Sequence, residues 1–262
     1  MRFNADLIRT TEGQIQLVQE IVKALNADAT NPIPGRDDWE GEKALRELES
    51  VVVQGHHFYD EFVTICMSAF HLRSDSDPSV RALFLLGAIN GARRLPDGKR
   101  PDDQLVRLFS DARAHIDALN DSPRKMRLSS LWFYHAGIYA HVNGDYMSAI
   151  VYHNRSAKIA ETAEDEEATA ISRFSAAVDH VNIAIVDELP DIEALLAKMR
   201  KEGNMLKIAL DSRTDDSVAV RWAYLNVPVH LLFAHFWAGE QYDGSNDIRR
   251  LHELRTLDPA LE

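Results

Sequence analysis

Apolar residues recur along this chain at three- and four-residue intervals almost from end to end, and strict alternation is nearly absent. That period puts them on one face of a helix rather than one face of a strand. Ile8, Ile15, Val18, Ile21, Val22 and Leu25 form the stripe of a first helix. It must end before Asn31-Pro32-Ile33-Pro34-Gly35, because proline lacks an N–H and restricts the residue before it. Asp37 or Asp38 caps a second helix, and Gly55 separates it from a third running through Phe58, Phe62 and Cys66 to His71. Ser76-Asp77-Pro78 starts the next, which closes at Leu95-Pro96-Asp97-Gly98. Pro101-Asp102-Asp103 opens another that stops near Asn120-Asp121-Ser122-Pro123. Asn143-Gly144-Asp145 is a short turn between two strongly helical segments, and later breaks fall near Glu188-Leu189-Pro190-Asp191, between Asp211 and Asp216, and between Gly239 and Gly244. About eleven helices joined mostly by short links predict antiparallel neighbours, stacked as hairpins.

Composition agrees with an all-α chain and removes several partners. The 262 residues hold 12 glycines and 9 prolines, too few turn formers for a β-sandwich or barrel. Lys and Arg number 29 against 41 Asp and Glu, and a net charge of −12 repels phosphate backbones and anionic lipid, so neither nucleic acid nor membrane is expected. Trp222 to Gly239 carries no Asp, Glu, Lys or Arg, close to the roughly 18 residues that span a bilayer. Asn226, Pro228, His230 and His235 seed it with polar groups, which suits a helix buried almost all round inside a helical array. The single Cys66 lies in apolar Phe62-Val63-Thr64-Ile65-Cys66-Met67 and reads as an inert buried thiol. Met1-Arg2-Phe3-Asn4-Ala5-Asp6 has no apolar core or cleavage site of a secretory signal, so a cytoplasmic protein is expected.

Candidate chemistry is sparse. His56 with Asp60 and His57 with Glu61 are four apart and share helix faces, but zinc needs three or four convergent ligands and the local sequence does not complete a set. A metal-dependent hydrolase on His56, His57, Asp60 and Glu61 is the remaining enzymatic alternative. Gly35-Arg36-Asp37-Asp38-Trp39-Glu40-Gly41-Glu42-Lys43 has its glycines too far apart for a phosphate loop, and Glu42 stands where lysine is required. No residue is assigned a catalytic role, and no metal or cofactor is expected.

The segment from Leu131 to Tyr152 is more specific. Phe133 is followed by Ala136-Gly137, Ala140, Gly144-Asp145-Tyr146 and Ala149, with Ser156-Ala157 further on. Gly137 and Ala149 are small where two helices would cross closely, Tyr146 fills the gap between them, and Gly144 can take the positive φ that ends a helix. This pattern resembles a tetratricopeptide repeat (TPR), covering about 130–161. Leu86-Gly87, Leu119-Asn120-Asp121-Ser122-Pro123, Ala238-Gly239-Glu240-Gln241-Tyr242 and Leu257-Asp258-Pro259 look like fragments of degenerate copies. The resemblance implies an all-α, right-handed superhelix of antiparallel TPR-like hairpins over 76–262, with an N-terminal helical section over 1–75 packed on the array.

In that family the first helices of successive hairpins line a concave groove. The matching positions here are Leu131, Tyr134, Ile138 and His141, which depart from the Lys/Asn/Arg clamp that grips C-terminal carboxylates in some members. Asn90, Asn182 and Asn226 sit within other apolar helices, and an amide offers both donor and acceptor to an extended backbone. The expectation is a non-enzymatic scaffold or adaptor that binds a protein or peptide segment. The alternative is a regulatory domain that senses a peptide or ligand by changing superhelix pitch. The acidic run Glu161 to Glu167 reads as a solvated helix junction and cap. The last predicted helix, Asp247 to Thr256, would cap the array, and a homo-oligomer follows if its apolar face is uncovered.

Overall fold

The computed structural model describes residues 7, 10, 12–17, 19–20, 23, 59–72, 78–95, 99–187, 192–211, 227–236, 243–246 and 248–249. Among them all extended regular structure is helical. The helices are α1 (Tyr59–Leu72), α2 (Pro78–Ala92), α3 (Asp102–Asp117), α4 (Pro123–Val142), α5 (Tyr146–Thr162), α6 (Glu166–Val186) and α7 (Ile192–Asp211), with a further helical stretch over 227–236. Residues 12–17 are helical, inside the first predicted helix. The second predicted helix and most of Asp247 to Thr256 lie outside the described residues. The chain forms two units, Met1–His135 and Ala136–Glu262.

In the first unit α2 is buried almost all round, from Ser79 to Ala92, as befits a helix packed by neighbours on several sides. α3 is amphipathic instead: Leu105, Phe109, Ala112 and Ile116 face inward at helical spacing. Trp132 on α4 meets Phe109 edge-on at 5.7 Å and donates its indole N–H to the Phe109 carbonyl at 2.9 Å. Cys66 is buried as a free thiol in α1, as its apolar setting predicts.

In the second unit, residues late in one helix of a neighbouring pair meet residues early in the other, as antiparallel neighbours do. Gly137 of α4 lies against His153 of α5. Ser156 shares a 2.9 Å hydrogen bond with Ser172 across α5 and α6. Phe174 of α6 packs at Gly203 of α7, and Gly203 in turn meets Val227. Phe174, Leu196, Met199, Leu206, Leu210, Val227 and Leu231 make the core.

Two turns of the same construction join α4 to α5 and α5 to α6. In each a left-handed residue, Gly144 (φ 76°) or Glu164 (φ 56°), is followed by an aspartate. The aspartate N–H bonds back five residues at 2.9 Å, Asp145 to the Ala140 carbonyl and Asp165 to the Ala160 carbonyl. Its carboxylate caps the next helix, Asp145 accepting from the Ser148 N–H and Asp165 from the Ala168 N–H. The predicted turn at Asn143 to Asp145 is thus present, and the acidic run supplies the second turn's cap. The left-handed conformation suits glycine and strains glutamate. Gly144→Ala is therefore expected to cost about 1 kcal/mol and Glu164→Gly to gain a similar amount, by opposite shifts in urea midpoint with unchanged slope.

One expectation is corrected. The stretch over 227–236 is not buried all round: Val227, Leu231 and Ala234 face the core while Val229, Leu232 and Phe233 are exposed. Helical spacing divides an uncharged run into two faces, and only one of them has α6 and α7 to pack on. Among the described residues no helix is long and apolar enough to cross a membrane.

Candidate functional site

The most unusual chemistry of the second unit is a carboxylate with no solvent exposure. Asp179 lies on α6 in the apolar run Ala176-Ala177-Val178-Asp179, and its side chain is fully buried. Such a group is tolerated when charged partners hydrogen-bond it. Two imidazoles do so: His141 Nδ1 of α4 lies 2.5 Å from one carboxylate oxygen and His153 Nδ1 of α5 lies 2.8 Å from the other. An ionised carboxylate only accepts, so both Nδ1 atoms carry the proton. Burial alone would raise the Asp179 carboxyl; the bonds from His141 and His153 and the field of their rings outweigh it and hold the group below the ordinary carboxylate range.

Each helix contributes for a local reason. His153 is buried, and its ring occupies the space that the missing side chain of Gly137 leaves open. His141 stands in the last turn of α4, with 29% of its side chain exposed and the Tyr146 ring edge-on at 5.5 Å. His180, next to Asp179, is held below its ordinary value by burial and by Lys198 of α7, against the pull of Asp179. His230, from the 227–236 stretch, is also held low, by burial first and then by the charge of His141, with Asp179 opposing. The result is a partly exposed imidazole whose orientation and tautomer are set from behind by a buried carboxylate. Its Nε2 remains to bond a ligand group, the arrangement second-shell carboxylates give to functional histidines. Among the described residues no group of His, Cys, Asp and Glu side chains is placed to hold a metal ion.

The other residues singled out from sequence fall as follows. Ile138 and Tyr134 are half-buried on α4. Asn182 is half-buried on α6. Asn90 is buried on α2, and its amide oxygen accepts from Arg93 at 2.6 Å and Arg94 at 3.3 Å. Asn226, His56 and His57 lie outside the described residues. Asp60 is exposed and Glu61 half-buried in the first turn of α1. Of the repeat signature, Phe133, Ala136, Gly137 and Ala149 are buried, Gly144 takes the positive φ, and Tyr146 is half-buried against His141. The sequence pattern singles out His141 but neither Asp179 nor His153. The available signal was a lone carboxylate in an apolar helical run, which cannot be satisfied without a partner from another helix.

No family model, curated protein or solved structure matches this chain.

Proposed function

We propose that this chain is a non-enzymatic, cytoplasmic binding module that takes a peptide or protein segment on the α4 face of a TPR-like hairpin. The hairpins would wind into a right-handed superhelix. The observation that carries the reading is His141: half-exposed on α4 three residues after half-buried Ile138, and fixed through Nδ1 by a carboxylate that has no contact with solvent. A preset imidazole loses little freedom when it bonds a peptide carbonyl or amide, and Ile138 beside it supplies apolar contact. The turn geometry around Gly144 and the small residues at Gly137, Ala140 and Ala149 support the resemblance on which the groove assignment rests.

Panning a random-peptide library against the intact chain tests this. Recovered peptides are expected to bind the wild-type chain and to lose about tenfold in affinity with His141→Ala, the loss of one good hydrogen bond. Circular dichroism establishes that the variant is folded. If no peptide is enriched, or if enriched peptides bind the folded variant as well as the wild type, the reading fails.

A further inference from the structure

Asp179 fixes more than the angle of the His141 ring. Its two carboxylate oxygens take one imidazole Nδ1 each, His141 at 2.5 Å and His153 at 2.8 Å. An ionised carboxylate has no proton to give, so the bond runs from His141 Nδ1–H to the oxygen. The two nitrogens of a neutral imidazole divide the roles between them. With the proton committed to Nδ1, Nε2 presents a lone pair and can only accept. An unrestrained surface imidazole exchanges tautomers and bonds donors and acceptors alike. Exchange here would turn the Nδ1 lone pair onto a buried carboxylate oxygen and take away one of the two hydrogen bonds that make Asp179 tolerable.

The surroundings of that lone pair narrow the choice of ligand. Part of the His141 side chain is exposed, at 29%, and among the described residues no protein group bonds its Nε2. The Tyr146 ring stands edge-on to it at 5.5 Å. Ile138, three residues back on α4, lies one turn away on the same helix face. An ammonium group would give up hydration beside these rings and methyl groups and gain only a neutral acceptor, so a neutral donor fits best.

With the α4 face as the peptide site, a reading on which this step rests, we propose that the face selects its ligand by hydrogen-bond polarity: the bound segment presents a neutral N–H or O–H donor to His141 Nε2, and a carbonyl or carboxylate oxygen at that place is refused. Two lone pairs brought together repel, and neither finds a proton. Asp179 is the positioning residue that sets this specificity without touching the ligand. A backbone amide and a side-chain hydroxyl or indole present the same chemistry; in the first case proline, which has no N–H, is excluded from the contacting position.

Two measurements on the intact chain near pH 8 test the polarity. Histidine-ring nitrogen NMR, with the His141 signals assigned by their loss in His141→Ala, is expected to show a protonated Nδ1 and a bare Nε2. In Asp179→Ala the Nε2–H form should become populated. If that variant does not fold, the wild-type spectrum decides alone: a proton on Nε2, with or without one on Nδ1, overturns the proposal. Peptides selected on the wild type are then remade with each amide in turn replaced by an ester, which removes one N–H, and with each donor side chain replaced by a near-isostere, tyrosine by phenylalanine or serine by alanine. One replacement is expected to weaken binding to the wild type about tenfold and to leave binding to folded His141→Ala unchanged. An effective ester places the donor on the backbone, and an effective side-chain replacement places it there. If His141→Ala weakens the parent peptides and no replacement does, the α4 site stands and its polarity is overturned. If the parents bind both chains equally, the peptide site itself fails and the polarity fails with it.

Discussion

Asp179→Ala is expected to destabilise the chain by about 3 kcal/mol. Two hydrogen bonds to a charged acceptor contribute about 1.5 kcal/mol or more each. Their loss also removes the charged acceptor from the Nδ1–H of His153, a buried side chain. Asp179→Asn separates charge from shape. The amide oxygen can accept from one imidazole while the amide nitrogen donates to the other, provided that ring changes tautomer. Both bonds survive as neutral ones, and the cost should fall to about 2 kcal/mol. Because the native carboxyl is held below its ordinary range, its stabilisation is complete above the unfolded value of about 3.9 and drains away as pH falls through the lower folded value. The wild type should therefore lose stability in acid over that window, and Asp179→Asn should lose less of it. Urea melts of the three proteins at neutral pH and near pH 3 measure both effects. A neutral Asp179→Ala, or an acid limb unchanged by Asp179→Asn, would contradict the clamp.

The second large effect has a sign opposite to the usual one. Gly137 lies inside α4, where Gly→Ala ordinarily stabilises a helix by about 0.5–1 kcal/mol. A Cβ here would fall onto the His153 ring, within 2.9 Å of its Cγ and closer still to the atoms at the ring's far edge. The ring cannot swing aside, because Asp179 holds its Nδ1. Gly137→Ala is expected to destabilise by about 2 kcal/mol and Gly137→Val by more. The cause can be isolated by a double-mutant cycle: in a His153→Ala background the Gly137→Ala penalty should shrink by at least about 1 kcal/mol. Equal penalties in both backgrounds would mean that helix approach, and not the imidazole, sets the requirement for glycine.

Gly137 also marks where sequence reading stops. A small residue at that position predicts a close crossing of two helices. The reading assigned the space to the approach of two helices, whereas an imidazole fills it. His153 is one of 11 histidines, and nothing in its neighbours Tyr152 and Asn154 marks it. Its role depends on a carboxylate 26 residues away. His141 was selected for the face it occupies, without reference to Asp179, 38 residues further on. Asn90 is singled out as an amide that interrupts an apolar helix; that its oxygen accepts from the two arginines that follow it is visible only in the structure.

Local physics accounts for what the sequence determined by itself. Apolar spacing decides that the chain is helical; proline and aspartate pairs decide where α2 and α3 begin; and Gly144 with Asp145 decides the turn into α5, because positive φ and the cap are satisfied within six residues. Only the tertiary structure decided which face of 227–236 meets the core, which ring fills the space at Gly137, and which partners make a buried Asp179 tolerable. Each of these depends on groups from different helices meeting at hydrogen-bond or van der Waals distance. Such meetings are set by the packing of the whole unit, and no periodicity along a single helix encodes them.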